Sequence, residues 1–257
     1  MTKRFVILIC SFSFFLSCYK DIVEPTECMF PERDYEMSIP CIASVDSVAF
    51  NYFINDATLL AYQDIASDLN HSGYNETGLD SETVTYYLSK LSAIYQAALL
   101  DTGSLHAMIF QYDVHQLPNP ILNFLGIKFI DSSVLRYELL NTPGNTSNDF
   151  LNELFTEYEF NDIHEGGSNS VNMSGVQNIN VSHVKRQLEL VEEIESIHFN
   201  FYLGEGSTIS CERFVGYDVF IFSHCFSLWP LSCNGRYNWE IKVEDNCNVI
   251  LLDEYFE

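Results

Sequence analysis

The sequence predicts an α+β fold: an N-terminal helical hairpin, then an α/β sandwich of ferredoxin-like type, then a β-rich C-terminus stapled by disulfides. Three observations lead there. Apolar residues step at three and four between Phe50 and Leu69 and again between Val84 and Ala98, the period of a helix face. Further on, β-forming runs alternate with helical patterns in steps of about 30 residues, as in βαβ-type units. Finally, Cys211, Cys225, Cys233 and Cys247 crowd the last part of the chain, where bridges would hold short strands.

The chain opens with Lys3 and Arg4, an apolar run from Phe5 to Leu16, and Ser17-Cys18. A charged start, an apolar middle and a small residue at the cut are the layout of a secretory signal. The run is too short to cross a hydrocarbon core of roughly 30 Å as a helix. Phe15-Leu16-Ser17-Cys18 resembles a bacterial lipoprotein box, and Tyr19-Lys20-Asp21 after it resembles the exported lipoproteins of Bacteroidota. The resemblance implies that residues 1–17 are removed, that Cys18 is lipidated, and that the mature protein sits on the outer membrane, facing the periplasm or the outside. Residues 18–46, broken by Pro25, Pro31 and Pro40, then read as a tether.

The cysteine count follows from that assignment. Of eight cysteines, Cys10 leaves with the signal and Cys18 carries lipid. Cys28, Cys41, Cys211, Cys225, Cys233 and Cys247 remain, an even set in an exported chain, hence disulfide candidates. Proximity favours Cys28 with Cys41 and the other four among themselves. No Cys-x-x-Cys pair occurs, which argues against a zinc ribbon or a thioredoxin-like site.

The helical hairpin is expected over 47–101. Phe50, Phe53, Ile54, Ala57, Leu60, Ala61, Ile65 and Leu69 share one face of the first helix, with Asp64 its only polar member. His71-Ser72-Gly73 ends that helix, and Asp80 or Ser81 caps the next. Residues 102–257 are expected to form the α+β domain. Leu105–Val114 and Leu122–Ile130 read as strands flanking the breaker His115-Gln116-Leu117-Pro118-Asn119-Pro120. Residues 131–141 and 148–158 read as helices, Ser170–Val176 as a strand. A helix capped by Asn180 or Ser182 is expected to run to Ser196, feeding a strand Ile197–Leu203. Gly204-Glu205-Gly206 turns it, and strands follow at Phe214–Phe222, Tyr237–Val243 and Val249–Leu252. The stretch Tyr112–Pro120 and the ending from Cys233 through Cys247 resemble exported Bacteroidota proteins of no stated activity.

Composition bounds the function. With 12 Lys+Arg against 36 Asp+Glu, the formal charge is −24, and it becomes −26 once Lys3 and Arg4 are removed. Such a surface repels phosphate backbones, so nucleic acid is not an expected partner. Twenty Phe and fifteen Tyr exclude a disordered acidic tail. No nucleophile elbow, His-Glu-x-x-His, Walker loop or dinucleotide fingerprint is present, and neither a cofactor nor a metal site is expected.

The leading expectation is therefore a non-catalytic, membrane-anchored binding or envelope protein with a protein or glycan ligand. A secreted hydrolase is the alternative, with Asp113, His115 and His224 as its residues, because a strand would place Asp113 and His115 on one face. A calcium-stabilised adhesion module is a third. Its acidic residues, Glu189, Glu192, Glu193 and Glu195, would spread along a helix face, whereas calcium wants oxygens around one point.

Overall fold

Apolar periodicity places the first two helices where they were expected. The computed structural model describes residues 47–117, 120–167, 169–200, 206–226, 233 and 235–257. The segment 1–46, with Cys18, Cys28 and Cys41, and the Gly204-Glu205 turn lie outside the described residues. α1 (Ser47–Ser67) and α2 (Ser81–Leu100) pack against each other through a 3₁₀ turn at Ser72–Asn75. Asp80 caps α2, its carboxylate accepting from the Glu82 and Thr83 amides. Those amides have no partner within the helix, so the cap satisfies them.

Two four-stranded antiparallel sheets follow. The first takes β1 (Phe124–Phe129), β2 (Phe160–Glu165), β3 (Ser170–Gly175) and β4 (Ile194–His198) in the order β2-β3-β1-β4. α4 (Val134–Asn141) and α5 (Asp149–Thr156) connect β1 to β2, and α6 (Val181–Leu188) connects β3 to β4. This is the split βαβ arrangement of a ferredoxin-like layer. Leu125, Ile127, Phe129, Val171 and Met173 of the sheet pack on Leu135, Leu139, Leu151, Leu154, Val184 and Leu188 of the helices. The second sheet is a meander of β5 (Thr208–Phe214), β6 (Tyr217–Cys225), β7 (Arg236–Glu244) and β8 (Val249–Phe256). Its Ile209, Phe220, Phe222, Trp239, Ile241 and Val243 pack with Phe53, Tyr87, Leu91 and Ile94 of the hairpin. α1 joins both cores, because Leu59 buries itself with the first sheet's layer.

Several boundaries differ from expectation. Leu105–Val114 is not a strand but a helical turn, α3 (Ser104–His106), running into a π-helix at Ala107–Gln111. The inward residues Leu105, Met108 and Ile109 are spaced at three and four, and the Asp101 carboxylate accepts from the Leu105 and His106 amides. Helical period and a cap outweigh the β-propensity of single residues. α6 stops at Leu188 rather than Ser196. Negative side chains after it oppose the negative end of a helix, and the chain turns straight into β4, with Glu195 paired to Lys128. β2 and β5 were not expected, since each carries polar residues at positions a hydrophobic pattern would fill.

Of the six disulfide candidates, Cys225 and Cys233 are bonded to each other, their Cα atoms 5.6 Å apart. Cys247 is also disulfide-bonded, to none of the other three cysteines of its group, since two of them bond each other and the third is free. The expectation that the four pair among themselves is corrected. Cys211 corrects the expectation: it is a free thiol. It packs against the hairpin core, while Cys225 and Cys233 have bonded to each other. Burial, and then the nearby Asp218 charge, push this thiol well above its ordinary range, which lowers its thiolate fraction and with it its reactivity.

The hairpin and the second sheet are also joined by buried charge. Lys90 of α2, with no exposed side chain, lies 3.2 Å from Asp218 of β6, which also accepts from the Tyr86 hydroxyl at 2.6 Å. Arg213 of β5 meets Asp64 of α1 at 2.9 Å and lies over the Tyr86 ring. Lys90→Met would leave the buried Asp218 carboxylate without its ion-pair partner. We expect a loss of about 3–5 kcal/mol in urea unfolding, partly recovered when Asp218→Asn is added.

Candidate functional site

Tyr52 and Asp56 are one turn apart on α1 and so share a face. That face meets the stretch leaving the π-helix, where Asp113 adopts φ +50°. This is left-handed backbone, in which Asp is among the better tolerated side chains. The turn brings His115 back onto α1. Its Nδ1 lies 2.6 Å from one Asp56 oxygen, and the other Asp56 oxygen accepts the Gln116 amide at 2.7 Å. Both oxygens of a carboxylate only 1% exposed are thereby occupied. On the opposite side of the ring, Nε2 faces Asp113 at 3.5 Å. Tyr52 supplies one hydroxyl proton for two acceptors, the Ile109 carbonyl at 2.8 Å and Asp113 at 2.6 Å, and its ring packs 4.4 Å from the imidazole.

Tyr52, Asp56 and His115 stand at one side of a cleft of about 430 Å³, within the size range of small-molecule sites. Asn55, Gln116, Asn123 and Asn178 contribute amides to its lining, and Leu59, Pro120, Ile121 and Leu122 contribute apolar surface. Asn123 is oriented by donating to the Gly175 carbonyl. The Gln116 Oε1 atom is buried without a hydrogen-bond partner among the described residues. Thr58, the lining's one aliphatic hydroxyl, donates to the Ile54 carbonyl within α1.

Partial burial alone would push the His115 imidazole down. The hydrogen bond and charge of Asp56, and then the charge of Asp113, outweigh burial and hold it above its ordinary 6.5. Tyr52 is pushed far above the usual phenol range by burial and by Asp113, so it stays a donor. When protonated, His115 is a link between two carboxylates from separate elements, and both favour its charged form.

Of the residues singled out for hydrolysis, Asp113 and His115 do come together, though through a turn and not along a strand. His224 does not join them. It lies beside Ser207, 3.3 Å from its hydroxyl, among the rings of Tyr112 and Phe226, and burial pushes its imidazole down. Asp56 and Tyr52 were missed. The signal was faint: Asp56 falls between Phe53 and Leu60 on a helix whose buried face was expected to carry only Asp64 as a polar residue. Glu193 accepts from the Leu135 amide instead of joining an acidic cluster. Among the described residues no group of three or more His, Cys, Asp or Glu side chains converges as metal ligands do, and no helix is long and apolar enough to cross a membrane.

Comparison with protein-family models, curated proteins and solved structures finds no match.

Asp56→Asn should cost about 1–3 kcal/mol, the range for stranding a buried hydrogen-bonding group. The sign of its pH dependence follows from linkage. A raised imidazole contributes stability that is full below its unfolded value and lost as pH rises through the folded one. The wild-type advantage over Asp56→Asn should therefore be larger at pH 6 than at pH 9 in urea titrations at the two pH values.

Proposed function

We propose that this chain is an exported, lipid-anchored binding protein that seats a small, neutral, hydrogen-bonding unit of a glycan or peptide in the α1 cleft. One observation carries the binding reading. The cleft's titratable groups already satisfy one another, while amides and apolar carbons line the free volume. Asp56 has both oxygens occupied, and both ring nitrogens of His115 face carboxylates. Primary amides donate and accept at once, as hydroxyl, acetamido and peptide groups require. Leu59, Ile121 and Leu122 offer the apolar surface that gives a small ligand most of its affinity.

The anchoring half rests on Lys3, Arg4, the apolar run Phe5–Leu16 and Ser17-Cys18. An acylated Cys18 would hold the chain at the membrane, since each buried methylene contributes about 0.8 kcal/mol and two or more chains hold where one does not. Phosphate-rich partners are disfavoured by the −24 charge.

A hydrolase remains the second reading, favoured by the Asp56–His115 pair. A buried carboxylate orienting an imidazole is the supporting half of a catalytic triad. It would require Asp113 to leave Nε2 and a water to take its place.

Two experiments test these readings. Metabolic fatty-acid labelling should mark the wild type and not Cys18→Ser, and label persisting in the variant would remove the anchor. For the cleft, calorimetric titration with β-linked N-acetylglucosamine oligomers and with alanine peptides should find saturable binding of one class. Gln116→Ala combined with Asn123→Ala should weaken it about tenfold or more, or ~1.4 kcal/mol. Heat or product release from bond cleavage would favour the hydrolase, and absence of saturation by either probe class would defeat the binding reading.

A further inference from the structure

We propose that His115 is a proton-operated clasp on the wall of the cleft: charged, it ties the chain around Asp113 to α1, and neutral, it lets that chain loosen. The proposal gives the cleft a means of regulation, and it rests on the binding reading only for its use.

The geometry of the two ring nitrogens carries it. A charged imidazole has two N–H donors, one for each carboxylate it faces, Asp56 on α1 and Asp113 on the chain leaving the π-helix. A neutral imidazole has one. The shorter contact, 2.6 Å to a buried carboxylate that gains no help from water, keeps the remaining proton on Nδ1. Nε2 would then present a lone pair to Asp113 from 3.5 Å, and an attraction becomes a repulsion.

What Asp113 loses is regained from water rather than from α1. Its other partner, the Tyr52 hydroxyl, shares its single proton with the Ile109 carbonyl. The Asp113 carboxylate is 72% exposed, free to turn to water. Its backbone is held at φ +50°, which carries some cost in any residue but glycine. Its neighbour Val114 is fully buried, and the Gln116 amide stays on Asp56. The movement is therefore confined to the turn at 112–113 and the imidazole. The groups that set the charge come from every element packed there: Tyr52 and Asp56 from α1, Tyr95 of α2 behind Tyr52, and Asp113 from the turn itself. Tyr52 does not compete for the proton change, since burial and Asp113 keep it protonated.

The test uses the full folded chain and needs no ligand. Nitrogen NMR of the His115 ring should show both nitrogens protonated at pH 6, with the proton lost above the ordinary 6.5. Amide exchange at Tyr112 and Asp113, corrected for its intrinsic pH dependence and referenced to β7, should show local opening about fivefold or more greater at pH 9 than at pH 6. His115→Gln should open at both pH values to the extent seen in the wild type at pH 9, and Asp113→Asn should lose the pH response while its ring still bonds Asp56. Opening that is unchanged between pH 6 and pH 9 in the wild type, or a ring that loses its proton at or below 6.5, would overturn the clasp. Failure of the sugar and peptide titrations would leave these readouts untouched, so the two ideas fail separately.

Discussion

Two buried ion pairs fix the hairpin on the second sheet, and the rest of the molecule takes its position from that joint. Lys90 meets Asp218, Arg213 meets Asp64, and Tyr86 links the two by bonding Asp218 and lying beneath the Arg213 guanidinium. The four charges come from α2, β6, β5 and α1, so each element has a partner on another. Burying an ion is costly, and the attraction between partners offsets that cost only when the geometry is right. An apolar interface tolerates sliding by a fraction of a turn. This one does not, because a displaced helix would leave Lys90 facing hydrocarbon.

The consequence runs along α1. Asp64 near its C-terminal end holds the helix to β5, Phe53 faces the second-sheet core, and Leu59 enters the core of the ferredoxin-like layer. With the helix fixed in rotation by these three contacts, Tyr52 and Asp56 have one place to point. The π-helix then delivers Asp113 and His115 to them. A π-turn inserts a residue relative to an ordinary helix and often marks a functional place. Here it ends in left-handed backbone, and an imidazole with a carboxylate on each side closes the circuit. The cleft inherits its shape from that chain of constraints.

The hairpin was legible because helix period, an Asp80 cap and a breaker all pointed to one answer. The strands β1, β3, β6 and β7 were legible for the same reason, being apolar runs between turn residues. The π-helix was not. Leu105, Met108 and Ile109 carried the helical spacing, but Ile109, Phe110 and Val114 gave the window a β-forming composition. β5 was hidden by Cys211 and Arg213 on its inward face, residues that look exposed until Asp64 is brought beside them. β2 was hidden by Asp162 and His164, exposed on an edge strand that needs no second buried face. Half of the candidate site, Asp113 and His115, stood out as two titratable residues at close spacing. Asp56 and Tyr52 lay in the interior of a helix whose pattern already had an explanation.

By itself the sequence determined the local elements, the caps, the acidic character and the pool of cysteines, all of which depend on neighbours a few residues apart. Tertiary structure alone decided which polar groups meet. His115 and Asp56 are separated by 59 positions and Arg213 and Asp64 by 149, and no periodic pattern reaches that far. The same holds for the thiol of Cys211, left unbridged while Cys225 and Cys233 bond each other. Pattern reports which side of an element is buried. Only the folded chain determines what a buried charge finds there, and at such depth that partner sets its protonation and its chemistry.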